Sequence, residues 1–258
     1  MKDKAFKILL WISAISILLL PAGIFFSLTV KSIPAFQHFE LIASGEWFSF
    51  IGYSLLVSVL ALIIAAPFSI SLLLIYAEYC KGTKIASTLA FIMDLFAYIP
   101  SIVWGMWAYY NLHPVFDRLD IGYHGFGVLP VSIVLALMII PFSVSTCIRF
   151  IPFVPKKIKE GAYCLGATRL EIIGTISFPF MTKGLIATGF LSLGKVLGET
   201  MVVVILFGKT ITSVVFSRFG TINDLEFSSL FVLALFLFMI TAVANVAARY
   251  MFRRLWHE

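Results

Sequence analysis

The chain has 258 residues, of which 61% are hydrophobic and 12% are charged, and its formal net charge is +6. Because a soluble domain is nearer to half apolar and a quarter charged, this composition excludes an ordinary soluble protein and indicates a polytopic membrane protein. Helices are the expected spanning elements, since the sequence lacks the alternating segments of about ten residues that mark a transmembrane barrel. The predicted fold class is therefore all-α, a polytopic helical bundle in a membrane.

Several apolar runs are long enough to cross a bilayer, which requires roughly 20 residues. In chain order the six runs are Ile8–Val30, Phe50–Tyr79, Ile85–Tyr110, Phe126–Ile148, Gly184–Phe207 and Phe227–Met251. The first run is longer than the roughly 7–15 residues of a signal-peptide core, so it is predicted to be an uncleaved anchor. Together the runs predict a single transmembrane domain over residues 1–258, with a core at about residues 50–251.

The positive charges predict the orientation of the chain. If the N-terminus is inside, most of the 19 Lys and Arg residues lie on the cytoplasmic side, and the positive-inside rule then favours cytoplasmic positions for both termini. The net charge is thus a topology signal. Nucleic-acid binding is the weaker alternative, because no basic cluster is interleaved with polar base-reading residues.

The residues that usually mark a metal site or an active site are scattered. Cys80, Cys147 and Cys164 are isolated from one another, and no His/Cys spacing typical of metal ligands is present, so no metal site is expected. The polar loops hold neither a Ser/His/Asp set nor paired carboxylates. The chain is therefore not expected to be an enzyme by itself.

A basic segment punctuated by glycine separates the fourth and fifth apolar runs. Lys156–Leu165 is predicted to form a short helix that ends in a bend at Gly166. Thr168 and Glu171 have the spacing of a capping box, which predicts the start of a second short helix. Pro179 is expected to break that second helix before the fifth run begins.

Two interpretations of this segment follow from its residues. Lys156, Lys157 and Lys159 could lie on an interfacial helix that binds anionic lipid. Alternatively, the helix pair inserts into a groove of a partner protein. The second is favoured by a set of residues whose spacing resembles the EAA loop of ABC-type importer permeases: Glu160-Gly161-Ala162, Gly166, Ile176 and Phe178-Pro179.

The resemblance implies that residues 152–180 couple the chain to a cytoplasmic ATPase. Two positions depart from the usual pattern, since Gly161 replaces an Ala and Phe178 replaces a Leu, but both keep the size class of the side chain. The residues that the resemblance assigns to ATPase coupling are Glu160, Gly161, Ala162, Gly166, Ala167 and Pro179.

Ionisable residues also lie inside the predicted spans. Lys195 and Glu199 are four residues apart in the fifth run, which predicts a shared helix face, and Asp94 lies in the third run. A charge at membrane depth costs about 2.5–3.5 kcal/mol on insertion scales, so such residues mark function by default. The alternative is a self-contained pair in which Lys195 and Glu199 neutralise each other. Gly194 and Gly198 form a small-residue face that permits close approach of another helix.

The segment GKVLGETMVVVILFG, which begins at Gly194, resembles the fifth span of PstC-type phosphate importer permeases with their GRALGETM motif. Ala66-Pro67 with Ile75-Tyr76-Ala77-Glu78-Tyr79 resembles the second span of the same family and its ending, and Asp94–Gly105 and Leu137–Pro141 resemble further segments of it. Lys195 stands where the family has Arg. An ammonium acts on an oxyanion as a point charge, whereas a guanidinium forms two parallel hydrogen bonds.

The resemblance implies the type I ABC importer permease fold and the import of phosphate by alternating access across the bacterial cytoplasmic (inner) membrane. The implied partners are a second permease subunit of the PstA type, a dimer of ATPase subunits and an extracytoplasmic phosphate-binding protein. ATP would be bound by the ATPase subunits, and this chain would hold no cofactor. The implied substrate pathway contains Lys195, Glu199, Thr200, Asp94 and Ser101.

Three alternatives remain open from the sequence. The same machine could carry another oxyanion, such as sulfate or molybdate. A proton-coupled secondary transporter could use Asp94 and Glu199 as a relay, but it would leave the basic segment without a purpose. A membrane anchor with no transport role would tolerate leucine at Asp94, Lys195 and Glu199.

Overall fold

The structure is a computed structural model that describes residues 2–37, 46–80, 82–149, 154–219 and 224–255. These residues are almost entirely helical. They contain no strand, and the isolated bridge between Tyr123 and Phe126 is the β-type pairing within them. The predicted all-α class is confirmed. Residues 152 and 153, which begin the predicted coupling segment, lie outside the described residues.

The α-helices are named here in chain order. They are α1 (Lys2–Gln37), α2 (Glu46–Ile75), α3 (Lys84–Ala97), α4 (Ser101–Trp107), α5 (His113–Arg118), α6 (Val128–Ile148), α7 (Lys156–Cys164), α8 (Arg169–Ile172), α9 (Phe178–Leu197), α10 (Met201–Leu206), α11 (Ile211–Arg218) and α12 (Asp224–Leu255). Wider π-helical segments follow α2, α4 and α8, at Tyr76–Cys80, Ala108–Leu112 and Ile173–Ser177.

Straight and bent helices are both candidates to cross a membrane. The straight candidates within the described residues are Leu10–Phe36, Trp47–Cys80, Val128–Ile148 and Ser228–Tyr250. The bent candidates are the pair Lys84–Ala97 and Ser101–Arg118, at 88°, and the pair Arg169–Thr182 and Gly184–Leu197, at 52°. Counting each bent pair as one span gives six, which agrees with the predicted number.

The third predicted run, Ile85–Tyr110, is not one continuous helix. The helix α3 ends at Ala97, and α4 begins at Ser101 after Pro100. Proline has no backbone N–H, and its ring disfavours helical geometry at the preceding residue, so the chain turns here. The apolar composition of the run hid the break.

The fifth predicted run, Gly184–Phe207, is also interrupted. The helix α9 ends at Leu197 with Gly198 as its C-cap, and α10 begins only at Met201. The prediction that Lys195 and Glu199 share a helix face is therefore wrong, because Glu199 follows the end of the helix that carries Lys195. Residues 198–200 are called the break below.

Pro179 does not break the helix that precedes the fifth span, contrary to the prediction. The chain stays helical from α8 through the π-helical segment Ile173–Ser177 into α9, and Pro179 lies in the first turn of α9. Proline is tolerated in a first helical turn, where its missing N–H costs little. The sharp bend lies farther along, between Thr182 and Gly184.

The helix α6 is the centre of the bundle. It is apolar on all sides and largely buried, with Leu129 and Leu137 exposed, and it packs against α2, α3 and α9. Its buried residues include Val131, Leu135 and Ile139, which join Val57 of α2 and Val203 of α10 in the main hydrophobic core. Farther from α6, α9 packs against α12, and α12 packs against α1.

The broken third and fifth spans meet through a glycine. A Cβ atom built at Gly105 of α4 would lie 2.8 Å from Ile205 Cδ1 and 3.3 Å from Val202 Cα of α10. A larger residue here would require the Ile205 side chain to move and the backbone of α10 to shift by a few tenths of an ångström, so glycine favours this close approach of α4 to α10. The two short helices that follow the breaks are thus packed together.

Candidate functional site

Hydrogen bonds between side chains and the backbone stabilise the break. The Glu199 side chain is buried, and its Oε1 accepts hydrogen bonds from the backbone N–H groups of Thr200 and Met201, at 3.2 Å each. The Thr212 hydroxyl donates to the carbonyl oxygen of Glu199 at 2.7 Å. The carboxylate therefore satisfies the first N–H groups of α10, which would otherwise be unpaired inside the protein.

Lys195 is not paired with Glu199. No ion pair within 4.0 Å joins the two residues, and the Lys195 Nζ instead lies 4.3 Å from the ring centroid of Phe142 on α6. A cation over an aromatic ring is stabilised by about 0.5–2 kcal/mol, depending on its desolvation. The direct Lys195–Glu199 ion pair that the sequence allowed is therefore not formed, although the two charges still attract each other through space, and the lysine is partly buried.

One turn of α6 collects polar contacts from two other helices. Ser145 of α6 donates a hydrogen bond to the Asp94 carboxylate of α3, and Ser143 is hydrogen-bonded to Ser192 of α9 at 2.9 Å. Phe142, which contacts Lys195, lies on the same turn. The structure thus brings Asp94 and Lys195 to α6 within three residues of each other along that helix.

These serines were not identified from the sequence as functional candidates. Their signal was available, because Ser143 and Ser145 follow Pro141 within an otherwise apolar run. Hydroxyl groups at membrane depth commonly hydrogen-bond between helices.

The remaining pathway candidates, Ser101 and Thr200, lie at the interruption after Pro100 and at the break, respectively. Ser101 is partly buried at the first position of α4, directly after Pro100, and it has no hydrogen bond to Lys195 or Glu199. Thr200 lines an open cavity of about 620 Å³ together with Gly198 and Thr212. The structure therefore does not gather all five predicted pathway residues into one cluster.

Gly194 and Gly198 differ in their surroundings. A Cβ atom at Gly194 would lie 3.3 Å from the Asn245 amide of α12, so this glycine allows α12 to approach α9 closely. At Gly198 the atoms in reach belong to the same helix, at 3.6 Å and beyond. The predicted close approach of another helix is thus found at Gly194.

The basic segment between the fourth and fifth spans folds locally as the sequence predicted. Residues 154–179 are called the elbow below. The helix α7 ends at Cys164, Gly166 has a positive φ of 88°, and Thr168 and Glu171 form a reciprocal capping box at the start of α8. Only glycine adopts such a φ without strain, which explains its place at the bend.

The tip of the elbow is exposed and apolar. Leu165 is 91% exposed and Leu170 is 75% exposed, on either side of the bend. Of the predicted coupling residues, Glu160, Gly161, Gly166 and Pro179 are exposed, and Ala162 and Ala167 are partly buried. The bend of the elbow is thus flanked by two highly exposed apolar side chains. Neither leucine was singled out from the sequence.

The base of the elbow is held by the end of the second span. Glu78, in the π-helical segment Tyr76–Cys80, has a side chain that is 4% exposed and forms an ion pair with Lys159 of α7. Ser177 donates a hydrogen bond to the same carboxylate oxygen. Next to it, the Arg169 guanidinium lies 5.3 Å from the ring centroid of Tyr79. Glu78 was missed as a functional candidate, although an acid at the end of an apolar run is a recognisable signal.

Comparisons with known proteins agree with this architecture. The sequence model of the family described as "Binding-protein-dependent transport system inner membrane component" matches residues 74–257. The Phosphate transport system permease protein PstC of Mesorhizobium japonicum is 29% identical over 94% of this chain and 88% of its own length. The protein of the same name from Xylella fastidiosa is 31% identical over 78% of this chain and 72% of its own length.

Solved structures share the fold. A chain of a bacterial alginate ABC transporter, in complex with a periplasmic protein that holds an alginate pentasaccharide, aligns with a TM-score of 0.69 and 18% identity over 98% of this chain and 97% of its own length. A chain of the MetNI methionine ABC transporter in an inward-facing conformation aligns with a TM-score of 0.58 and 16% identity over 78% and 94%. The predicted type I ABC importer permease fold is confirmed.

Proposed function

Since the chain belongs to the family of binding-protein-dependent transport system inner membrane components, we propose that it is the permease subunit of an ABC importer that carries inorganic phosphate across the cytoplasmic membrane by alternating access. The observation that carries the substrate class is the similarity, over most of the chain, to several proteins named as phosphate transport permeases. The chain is a transport subunit rather than an enzyme.

Lys195 supplies the positive charge of the proposed pathway. Its ammonium lies over Phe142, and no carboxylate of the described residues lies within 4.0 Å of it, so an arriving phosphate would not have to break a direct ion pair there. The cation–π contact is worth only about 0.5–2 kcal/mol, which an approaching phosphate charge can exceed in a site of low dielectric. Asp94, which contacts the same turn of α6, would repel the anion and promote its release.

Glu199 has a different proposed part in the pathway. Because its Oε1 accepts two backbone N–H groups at the start of α10, the side chain maintains the break rather than orienting Lys195. Discontinuous helices often line substrate sites in transporters, since unwound backbone is tolerated where it borders a cavity. Thr200 and Ser101, each at one of the two breaks, are the proposed hydroxyl contacts for the phosphate oxygens.

The elbow is the proposed docking site for the ATPase subunits. Leu165 and Leu170 give it an exposed apolar tip, which a hydrophobic groove of a partner would bury. Glu160, Ala162 and Gly166 flank that tip. ATP would be bound and hydrolysed by the ATPase dimer, and this chain would hold no cofactor.

The complete importer would contain further chains. A second permease subunit of the PstA type would pair with this chain, and an extracytoplasmic phosphate-binding protein would deliver the substrate. The proposed location is the bacterial inner membrane with both termini in the cytoplasm, which puts the elbow on the same side as the ATPases.

Lysine at position 195 reduces the discrimination between phosphate and other oxyanions. Lys195 cannot form the two parallel hydrogen bonds that an arginine would offer to phosphate, so another tetrahedral oxyanion, sulfate or molybdate, is the second candidate. Competition for uptake of labelled phosphate by excess sulfate or molybdate separates the candidates. Strong competition would favour the second candidate, and its absence would favour phosphate.

The test of Lys195 uses the intact complex in proteoliposomes. We expect Lys195→Ala to lower ATP-dependent phosphate uptake by about tenfold or more, because loss of roughly 1.4 kcal/mol or more of charge stabilisation along the pathway slows transport by that factor. Lys195→Arg should retain uptake. Lys209→Ala, an exposed lysine in an outer loop, is the matched control. Full uptake by Lys195→Ala would remove Lys195 from the mechanism.

A further inference from the structure

Two residues from different parts of the elbow contact one carboxylate oxygen of the second span. The Glu78 Oε1 accepts hydrogen bonds from the Lys159 ammonium of α7 and from the Ser177 hydroxyl. Lys159 belongs to the first helix of the elbow, whereas Ser177 lies at its far end, directly before α9. Glu78 itself belongs to the continuation of the second span. One acid at the end of the second span thus holds the elbow at both of its ends.

A cation–π contact adds a second attachment at the same place. Tyr79, next to Glu78, lies beneath the Arg169 guanidinium, which begins the second helix of the elbow. The two helices of the elbow therefore contact adjacent residues of one π-helical segment. These contacts, defined by Glu78, Lys159, Ser177, Tyr79 and Arg169, are called the clasp below.

Burial makes the ion pair of the clasp costly to separate. Exposed ion pairs contribute little, since water competes for both charges. The Glu78 side chain is 4% exposed and that of Lys159 is 16% exposed, so separating them would leave a carboxylate buried without its counter-ion. Such separation is strongly unfavourable. The elbow therefore cannot move away from the second span at low cost, and the two must move together.

The surroundings of the clasp keep water out on one side. Leu73 and Ala77 of the second span pack with Cys147, Val154 and Met181 in a separate hydrophobic cluster next to Glu78. Glu78 and Ser177 both lie in π-helical segments, which occur frequently at functional positions of helices.

From this geometry we propose that Glu78 is a positioning residue for energy coupling, which fastens the elbow to the second span so that movement of the elbow moves α2. The inference rests on the proposed function, because the force on the elbow comes from the ATPase subunits. Since α2 packs against the central helix α6, movement of α2 reaches the turn of α6 that contacts Asp94 and Lys195.

The decisive variant removes both charges at once. The double variant Glu78→Gln and Lys159→Met leaves no buried charge unpaired, so the chain should fold and assemble while the clasp is lost. In the intact complex we expect phosphate taken up per ATP hydrolysed to fall by about tenfold, with ATPase subunits still bound. The charge-reversed variant Glu78→Lys with Lys159→Glu should recover part of the coupling. Lys157→Met, an exposed lysine of the same helix, is the matched control.

A second measurement needs no substrate. Cys80 lies at the end of the second span, and Cys164 ends α7, so spin labels on these native thiols report how tightly the elbow is held, once buried Cys147 is replaced by Ala. We expect a narrow distance distribution in the purified chain in nanodiscs. The double variant should broaden it, and Ser177→Ala should broaden it less.

The outcomes separate the clasp from the proposed function. Unchanged distance distributions in the double variant and in Ser177→Ala would overturn the clasp, and so would unchanged uptake per ATP. If the double variant does not assemble, Ser177→Ala decides the matter through the same distance measurement. A wild-type complex that does not carry phosphate but shows distances dependent on Glu78 would refute the proposed substrate and leave the attachment of the elbow intact.

Discussion

Two lysine–glutamate sets of the protein differ in whether the two residues form an ion pair. Lys195 and Glu199 are four residues apart in sequence, yet the end of α9 lies between them and they form no ion pair within 4.0 Å. Lys159 and Glu78 are 81 residues apart, yet they form a buried ion pair. The first set leaves a cation available in the proposed pathway, and the second fastens two elements together. Sequence spacing predicts pairing only where the helix between the two residues is continuous.

The largest expected effect comes from removing one member of the buried pair. Glu78→Ala leaves the Lys159 ammonium buried without its counter-ion, which should destabilise the chain by about 3–5 kcal/mol. The measurement is denaturant unfolding of the purified chain in detergent. Lys157→Met should stay within about 0.5 kcal/mol of the wild type, as expected for a surface substitution. Equal stability of Glu78→Ala and the wild type would mean that water already solvates the pair.

The next effect concerns the tip of the elbow. Leu165→Asp or Leu170→Asp should abolish most co-purification of the ATPase subunits, since loss of a buried anchor commonly costs about 2 kcal/mol or more in binding. The stability of the chain alone should not change, because both leucines are exposed. Leu119→Asp, at an exposed leucine directly after α5, serves as the control. Undiminished ATPase binding by both elbow variants would exclude this tip as the docking surface.

Two variants of Glu199 separate the effect of its negative charge from the effect of its hydrogen bonds. Glu199→Gln keeps an acceptor oxygen for the Thr200 and Met201 N–H groups and should retain phosphate uptake. Glu199→Ala leaves both N–H groups unpaired, at a cost of about 1–3 kcal/mol each, and should lower both stability and uptake. If the Gln variant were as defective as the Ala variant, the negative charge itself would be required.

The smallest expected effect is local. Thr168→Ala removes the N-cap of α8 and should destabilise that helix by about 1 kcal/mol, seen as faster amide hydrogen exchange at residues 169–172. Thr175→Ala is a matched control, because the Thr175 hydroxyl bonds only the carbonyl oxygen of Glu171, one turn earlier. Equal exchange rates in the Thr168→Ala variant and the wild type would show that packing, rather than the cap, maintains α8.

Caps and turns with a specific residue pattern were predictable, whereas helix interruptions and long-range contacts were not. The capping box at Thr168 and the bend at Gly166 follow from residues within one turn of each other, so the sequence predicted both correctly. The break at Gly198 was missed, because a glycine in an apolar run is compatible with either a continuous or an interrupted helix. The ion pair of Glu78 depends on tertiary packing across two elements, for which a single sequence carries no signal.

The proposed pathway shows the same limit. Composition alone identified Asp94 and Lys195, because charges are rare in such runs. The sequence did not show that both residues contact the same turn of α6, because that contact depends on how three helices pack. The exposed leucines of the elbow were missed because exposure is a property of the folded chain.

The most direct test of the central claim is phosphate uptake by proteoliposomes that contain the wild-type complex, with the source of energy varied. The account predicts that uptake requires ATP and the ATPase subunits and persists when the pH gradient is abolished. Uptake by this chain without ATPase subunits, driven by a pH gradient alone, would contradict it.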